Sequence, residues 1–322
     1  MLLYTYKKDK DLPYQLKKPG TSSLSKTKYL LTYKSPYNSG DKNNDKVYCE
    51  IYTNKSLEKS QRLLIFIHGF STRKTKLDNY HFFIKKMVEK NYTCAFINLP
   101  YHLNRAPKNI VSGENLLYYD DIDTLTFFHQ SVVDVRRLID IMQPYNFNRI
   151  SLCGLSLGSM VSCLSICHDK RINKAVLLIG GGNWEEVHWK GILRFMLKGN
   201  CADYGNIDRD KCHSYYSHFP NFLKKIKEFD PDEINTEELG ELDKVTRKMC
   251  FLCDPVAFAH RVDPANILMV NAKFDFYFSK NSTIQLWRAL GKPRIRWVNN
   301  FHSSKIIREP KTIKLICSFL GK

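Results

Sequence analysis

The segment Gly154–Gly158 reads Gly-Leu-Ser-Leu-Gly and places Ser156 between two glycines. An apolar run precedes it, and a segment able to start a helix follows from Met160. At a sharp turn from a strand into a helix, side chains two residues before or after the serine would collide with the flanking elements, and glycines remove that collision. The strained serine then exposes its hydroxyl above the strand end, where it can act as a nucleophile. The same pentapeptide also arises by chance in loops. Whether Ser156 is a nucleophile or a loop residue therefore depends on the secondary-structure elements predicted around it.

Those elements alternate regularly from residue 62 onward. Continuous apolar runs, typical of strands buried on both faces, occupy residues 63–67, 93–99, 149–153, 175–179, 267–271 and 295–298. Apolar residues at helical spacing predict helices over 77–90, 120–142, 282–290 and 304–320. This alternation predicts an α/β fold in which helices flank a mostly parallel central sheet. Residues 29–33 and 46–52 alternate like edge strands, and the Pro/Asn/Gly/Asp-rich turn between them favours antiparallel pairing.

Residues 183–260 interrupt this rhythm. They are rich in Trp, Tyr, Phe and Lys, are helical in pieces and contain no convincing buried strand. We therefore predict three parts: an N-terminal polar segment with edge strands (1–62), a core (63–182 and 261–322) and a helical insertion (183–260). The aromatic residues of the insertion are expected to fill its own core and to line an apolar pocket.

The order of these parts resembles the α/β-hydrolase superfamily, with the insertion where that superfamily usually carries its cap. His68–Gly69–Phe70 follows an early central strand, as an oxyanion loop would, and the Ser156 turn follows a later one. Asp275 comes just after the strand over 267–271, and His302 follows the last strand. The chain order Ser, Asp, His is the one that this superfamily uses.

The resemblance implies a catalytic triad of Ser156, His302 and Asp275. A serine hydroxyl is a poor nucleophile at neutral pH and needs a base beside it. His302 can supply that base if the last strand neighbours the strand before Ser156, and Asp275 would orient the imidazole. The backbone N–H groups of Phe70 and Leu157 would bind the oxyanion.

These residues could also have structural rather than catalytic roles. Asp275 could cap a helix or a turn, and Glu185 and Glu186 are the reserve acids because they follow the strand ending at Ile179. His302 could be an ordinary surface histidine. His68 is expected to shape the oxyanion loop rather than to act as a base.

A second motif, Pro100–Pro107, resembles a Pro-x-His-x-x-Arg loop found in some bacterial relatives. Because that loop borders the active-site mouth, His102 and Arg105 are candidate substrate-binding residues that could meet a carboxylate. The alternative is a rigid loop with a buried arginine pair.

Composition and charge limit the localisation and the binding partners expected for the chain. The chain has 322 residues, a formal net charge of +18 and ten cysteines. No apolar run is long enough for a membrane span, and no signal-peptide pattern precedes the first strand, so we expect a cytoplasmic protein with free thiols. The lysines are scattered and no nucleic-acid motif is present, so no specific nucleic-acid partner is expected.

A metal site was considered and is not expected. Cys250 and Cys253 have metal-ligand spacing, and Cys201, Cys212, His213 and His218 are further candidate ligands. The residues between Cys250 and Cys253 are apolar, however, and favour a helix face over half of a zinc site. No metal and no organic cofactor are implied.

The sequence therefore predicts a serine hydrolase, most simply a carboxylesterase acting on a small or medium apolar ester. Three alternatives stay open: a peptidase, amidase or thioesterase with the same triad, a hydrolase-fold binding protein without turnover, and use of the positive charge to bind RNA or an acidic lipid surface. Substrate identity and oligomeric state are not specified by these patterns.

Overall fold

A computed structural model describes residues 2–7, 12–197, 209–230, 234, 246 and 248–321. Within these residues one sheet has the strand order β1-β2-β3-β5-β4-β6-β7-β8-β9. The strands are β1 (Tyr14–Ser22), β2 (Ser25–Lys34), β3 (Lys46–Thr53), β4 (Arg62–Ile67), β5 (Thr93–Ile97), β6 (Arg149–Leu155), β7 (Ile172–Leu178), β8 (Ile267–Phe274) and β9 (Arg294–Phe301).

The sheet has an antiparallel end and a parallel end. Strands β1, β2 and β3 pair antiparallel with one another, and β3 pairs antiparallel with β5. From β5 to β9 every neighbouring pair is parallel. The predicted α/β class and the antiparallel pairing of β2 with β3 are confirmed. The expected edge position of these two strands is wrong, because β1 lies outside them. Strand β1 was not anticipated because proline and lysines interrupt its pattern.

Helices follow most of the parallel strands. They are α1 (Asp78–Glu89), α2 (Asp121–Met142), α3 (Leu157–His168), α4 (Trp184–Trp189), α5 (Arg209–Tyr216), α6 (Phe219–Lys225), α7 (Met249–Leu252), α8 (Pro255–Phe258), α9 (Lys280–Ala289) and α10 (Pro310–Gly321). Among the described residues, no helix is both long and apolar enough to cross a bilayer.

The central strands are buried on both faces of the sheet. In β4, Leu63, Ile65 and Ile67 pack into one hydrophobic cluster, while Leu64 and Phe66 pack into another. Because successive side chains of a strand point to opposite faces, a sheet covered by helices on both sides needs apolar residues at every position. This explains why the strand appears in the sequence as a continuous apolar run.

Between β7 and β8 the chain leaves the sheet for more than 80 residues, which we call the β7–β8 segment (179–266). Its described residues contain α4 to α8 and short 3₁₀ turns but no strand. Residues 198–208, including Cys201, lie outside the described part.

The N-terminal segment contributes to the core, which its polar composition did not predict. Leu3 and Tyr4 are fully buried. The Tyr4 hydroxyl donates to the carbonyl of Leu252 at 2.9 Å, and its backbone N–H donates to His129 Nδ1 at 3.1 Å. The Tyr4 ring also lies 4.6 Å from the ring of His168. Tyr4 thus joins helices α2 and α3 to the β7–β8 segment.

Replacing Tyr4 with alanine should therefore destabilise the whole fold. Removal of a fully buried aromatic ring costs about 3–5 kcal/mol, whereas Tyr14→Ala on β1, where the side chain is 51% exposed, should change the free energy of unfolding by less than about 0.5 kcal/mol. Urea denaturation followed by circular dichroism measures both. Equal effects of the two substitutions would contradict the packing described for Tyr4.

Candidate active site

Ser156 occupies a strained turn between β6 and α3. Its backbone has φ 56° and ψ −116°, in the left-handed half of conformational space that side chains rarely adopt. A Cβ atom on Gly154 would lie 2.0 Å from the carbonyl oxygen of Gly158, and one on Gly158 would lie 2.3 Å from that of Ile67. Both glycines are therefore required for the close approach of strand and helix.

The structure brings Ser156, His302 and Asp275 together. Ser156 Oγ lies 2.8 Å from His302 Nε2. His302 Nδ1 lies 2.9 Å from both carboxylate oxygens of Asp275. All three side chains are largely buried. This is the connectivity in which the imidazole can take a proton from the hydroxyl on one side while the carboxylate fixes its tautomer on the other.

The register of two neighbouring strands explains how Asp275 and His302 meet. Phe274 on β8 pairs with Phe301 on β9, so the next residue of each strand emerges beside the other. The sequence-based condition that β9 should neighbour β6 is wrong, because β7 and β8 lie between them. His302, the first residue after β9, nevertheless lies within hydrogen-bond distance of Ser156.

Asp275 is held in place by its own turn. Its Oδ1 accepts hydrogen bonds from the backbone N–H groups of Tyr277 at 2.8 Å and Phe278 at 3.0 Å. The Tyr277 ring lies 4.3 Å from the His302 ring and packs on it at 34°. The carboxylate and the imidazole are therefore fixed by main-chain donors and by an aromatic neighbour.

The two backbone groups expected to bind an oxyanion both lie beside Ser156. Leu157 is the first residue of α3, and Phe70 follows Gly69, whose position for a Cβ atom is 3.4 Å from Ser156 Cβ. Within the described part of the chain, neither the Leu157 nor the Phe70 N–H donates a hydrogen bond to a protein acceptor. Both remain available to an oxygen atom placed next to the serine.

His68 shapes this loop, as expected from the sequence. Its Nδ1 lies 2.9 Å from the carbonyl of Gly69, and its Nε2 accepts from the Leu99 N–H at 3.1 Å. Burial, together with the neighbouring His102, lowers the pKa of His68 to about 3. The neutral ring thus ties the loop after β4 to the chain leaving β5.

The structure does not bring His102 or Arg105 to a position from which either could meet a substrate. Both side chains are completely buried. Arg105 forms an ion pair with Asp134 at 2.8 Å and donates to the carbonyls of Asn98 and Asn44. His102 Nδ1 lies 2.7 Å from the carbonyl of Pro100, and burial lowers the pKa of this imidazole to about 4. The rigid-loop alternative describes this region better, because the guanidinium is used by a buried carboxylate.

The reserve acids have partners other than His302. Glu185 Oε1 lies 2.7 Å from His213 Nδ1, and Glu186 accepts a hydrogen bond from the Ser279 hydroxyl at 2.7 Å. Both belong to α4 and lie away from the Ser156–His302 pair in the hydrogen-bond network.

Ser156 and His302 open into a cavity of about 470 Å³. Its walls come from the loop after β4, the turn before α2, the start of α2 and the β7–β8 segment, and most of its surface is apolar. Lining residues from these elements include Phe70, Leu116, Phe127, Trp184, Val187 and Leu193. A volume of this size falls within the range of small-molecule sites.

Asp254 fastens the two ends of the β7–β8 segment. This buried carboxylate accepts hydrogen bonds from the backbone N–H groups of Asn183 and Trp184 at 3.0 Å and of Val256 at 2.9 Å. Burial raises the pKa of Asp254 to about 6, although these donors oppose the shift. Sequence reasoning missed this residue. The Asp254–Pro255 pair signals a helix start, but nothing in the sequence links it to Asn183, which is 71 residues away.

No metal centre is evident in the described residues, where no group of three or more His, Cys, Asp or Glu side chains is arranged around a common point. Cys201, one of the residues considered for zinc, lies outside the described part. Within the described residues, none of the other nine cysteines forms a disulfide.

Comparison with known proteins identifies the family to which the chain belongs. The sequence model of a family described as "Alpha/beta hydrolase domain containing 18" matches residues 42–318. The chain belongs to this family. The match spans the sheet from the turn before β3 to α10 and includes Ser156, Asp275 and His302. A search of curated protein sequences gives no significant match.

Solved structures of similar fold include several esterases. An acetyl xylan esterase from Paenibacillus sp. R4 aligns with a TM-score of 0.59 and 14% identity over 97% of this α/β hydrolase and 89% of the esterase. Acetyl xylan esterase 1 from Thermoanaerobacterium sp. JW/SL YS485 aligns with a TM-score of 0.57 and 15% identity over 96% and 87% of the two chains. The Pyrococcus furiosus esterase Pf2001 gives 0.51 and 10% over 96% and 92%. At these identities the likeness establishes the fold.

The turn at Ser156 generates a stability prediction for this α/β hydrolase. Gly158→Ala should lower the free energy of unfolding by about 1–3 kcal/mol or more, because the added methyl group meets the main chain of β4 and cannot be relieved by a side-chain rotation. Gly321→Ala, where a Cβ atom would have no neighbour within 4 Å, is the matched control. Urea denaturation of both variants is the measurement, and a Gly158→Ala protein as stable as Gly321→Ala would refute the close contact.

Proposed function

We propose that the protein is a serine hydrolase, a carboxylesterase that cleaves small or medium apolar esters through an acyl-enzyme. The observation that carries this proposal is the continuous chain of contacts from Ser156 Oγ to His302 Nε2 at 2.8 Å and from His302 Nδ1 to Asp275 at 2.9 Å. A structural serine or a capping aspartate would not need a histidine between them. The strained turn at Ser156 supports the same role.

In the first half of the reaction, Ser156 Oγ attacks the ester carbonyl carbon while its proton moves to His302 Nε2. The carbonyl oxygen becomes an oxyanion and is bound by the N–H groups of Phe70 and Leu157. Each such donor contributes about 3–4 kcal/mol to transition-state stabilisation in well-studied hydrolases. Cleavage of the carbon–oxygen bond releases the alcohol, which takes the proton from His302 and leaves an acyl group on Ser156.

In the second half, water replaces the alcohol. His302 accepts a proton from the water molecule while the water oxygen attacks the acyl carbon. The same proton is transferred to Ser156 Oγ when the acid leaves. Asp275 orients the imidazole and stabilises its charged form in both halves. No step uses a metal or an organic cofactor.

We propose further that the β7–β8 segment, predicted over 183–260, is a helical cap on the core formed by 63–182 and 261–322. The contribution of Trp184, Val187 and Leu193 to the cavity wall supports this division. Residues 1–62 would form the flanking edge of the sheet. The free thiols support residence in a reducing compartment such as the cytoplasm.

The serine mechanism predicts that Ser156→Ala removes activity. A fluorophosphonate should label the wild-type protein at Ser156, and p-nitrophenyl ester hydrolysis by the variant should fall roughly 10⁶-fold in kcat. Mass spectrometry locates the label, and circular dichroism controls for folding. Labelling of another residue, or a folded wild-type protein that does not react, would exclude this role and would favour a binding protein without turnover.

The cavity predicts a dependence on acyl length. A volume of 470 Å³ corresponds to roughly 15 water-sized groups at about 30 Å³ each. Each methylene that enters an apolar wall contributes about 0.8 kcal/mol, so kcat/KM should rise about fourfold per carbon from acetyl to hexanoyl and then level off.

The measurement is a series of p-nitrophenyl esters with Ser156→Ala as background, beside matched thioesters and amides. A flat series would contradict an acyl site in the cavity. Faster turnover of the thioester or the amide would show that the same three residues act on that type of bond rather than on an ester.

A further inference from the structure

Three phenylalanines form an exposed patch beside the candidate active site. Phe274, Phe276 and Phe301 are 53%, 61% and 57% exposed. The ring of Phe301 lies 5.8 Å from each of the other two, and it stacks on Phe276 with an angle of 19° between the planes. We call these three residues the aromatic patch. Side chains of this kind are normally buried, so an ordered cluster of them at the surface indicates a contact surface.

The start of the β7–β8 segment extends the patch. The backbone N–H of Ile192 donates to the carbonyl of Phe276 at 2.7 Å, which fixes this segment against the turn after β8. Ile192 and Phe195 are themselves 42% and 66% exposed. The three rings of the aromatic patch alone expose on the order of 300–400 Å², given about 200 Å² per aromatic side chain.

Exposed cations lie close to these aromatic residues along the chain. Lys273 directly precedes Phe274, and the Arg194 guanidinium lies 4.3 Å from the centre of the Phe195 ring. Lys305 follows Phe301 by four residues. All three cations are exposed, and within the described part of the chain none forms an ion pair with a carboxylate.

The nearby acids do not neutralise them. The carboxylate of Asp275 is turned inward to His302 and to the backbone of its own turn. On α4, Glu186 accepts from Ser279 and Glu185 contacts His213. The surface around the aromatic patch therefore presents exposed apolar rings together with positive charge.

We propose that the aromatic patch, with Lys273 and Arg194, docks the protein on an anionic lipid surface. Exposed rings can enter the boundary between headgroups and acyl chains, and each Lys or Arg near an anionic bilayer contributes about 1 kcal/mol. Because Tyr277 and Phe278 follow Phe276 and line the cavity, docking in this orientation turns the cavity mouth toward the lipid. The net charge of +18 adds long-range attraction to such a surface.

A second copy of this chain fits the patch less well. A stable interface buries about 800 Å² on each partner, roughly twice what the aromatic patch offers. A two-fold contact would also set the patch against itself, so that Lys273 and Arg194 of one copy would approach the same cations of the other. Neither the area requirement nor the repulsion between cations applies to an anionic bilayer.

The test is co-flotation of the full-length protein with vesicles. The wild-type protein should float with phosphatidylcholine mixed with phosphatidylserine, but not with phosphatidylcholine alone. Phe276→Ser/Phe301→Ser should lower the partition coefficient roughly tenfold or more, and Lys273→Gln/Arg194→Gln roughly 30-fold. Matched substitutions on the opposite edge strand, Tyr14→Ser and Lys17→Gln, should leave it unchanged. Circular dichroism and thermal unfolding establish that each variant is folded.

Three results would overturn the proposal. The first is wild-type protein that stays with the soluble fraction, and the second is patch variants that float as the wild type does. The third is a concentration-dependent dimer in sedimentation equilibrium that Phe276→Ser/Phe301→Ser abolishes, which would assign the patch to a second copy. The readout is binding, so it is independent of whether Ser156 hydrolyses an ester.

Discussion

The close approach of α3 to the end of β4 is the contact on which the rest of the site depends. Where Gly158 passes the carbonyl of Ile67, there is no room for a Cβ atom. This approach forces Ser156 into its strained conformation and places it at the carboxyl end of the central strand β6. It also starts α3 directly after the serine, where the Leu157 N–H has no acceptor among the described residues. One steric constraint thus positions both the Ser156 hydroxyl and the adjacent Leu157 N–H.

The second constraint is the register between β8 and β9. Pairing of Phe274 with Phe301 makes Asp275 and His302 neighbours, although they are 27 residues apart in the chain. A shift of one residue would turn every side chain of β9 to the opposite face. The same register places the aromatic patch at the surface, because the residues before and after Asp275 and the residue before His302 lie where the strands end. The inward contact between Asp275 and His302 and the outward rings are therefore two consequences of one pairing.

Much of this architecture could be predicted from local patterns, and the limits have physical causes. Buried strands such as 63–67 and 175–179 are recognisable because a sheet covered on both faces requires apolar residues throughout. The three triad residues were predicted from their positions after strands, and the structure brings their side chains together. Strand order is a long-range property, so the position of β9 at the sheet edge was not foreseen. Arg105 was misplaced for a similar reason, since its partner Asp134 lies on a different element.

The position of the β7–β8 segment explains why the least predictable part of the chain governs the cavity. In a parallel sheet the loops after all strands emerge at the carboxyl ends of the strands, on one side of the sheet. Strand β7 lies between the strands that precede Ser156 and Asp275. A chain leaving β7 must therefore pass directly over the site, and Asp254 returns it to the point where it began. Its helices line the cavity, whereas the contacts among Ser156, His302 and Asp275 are made at the ends of the sheet strands.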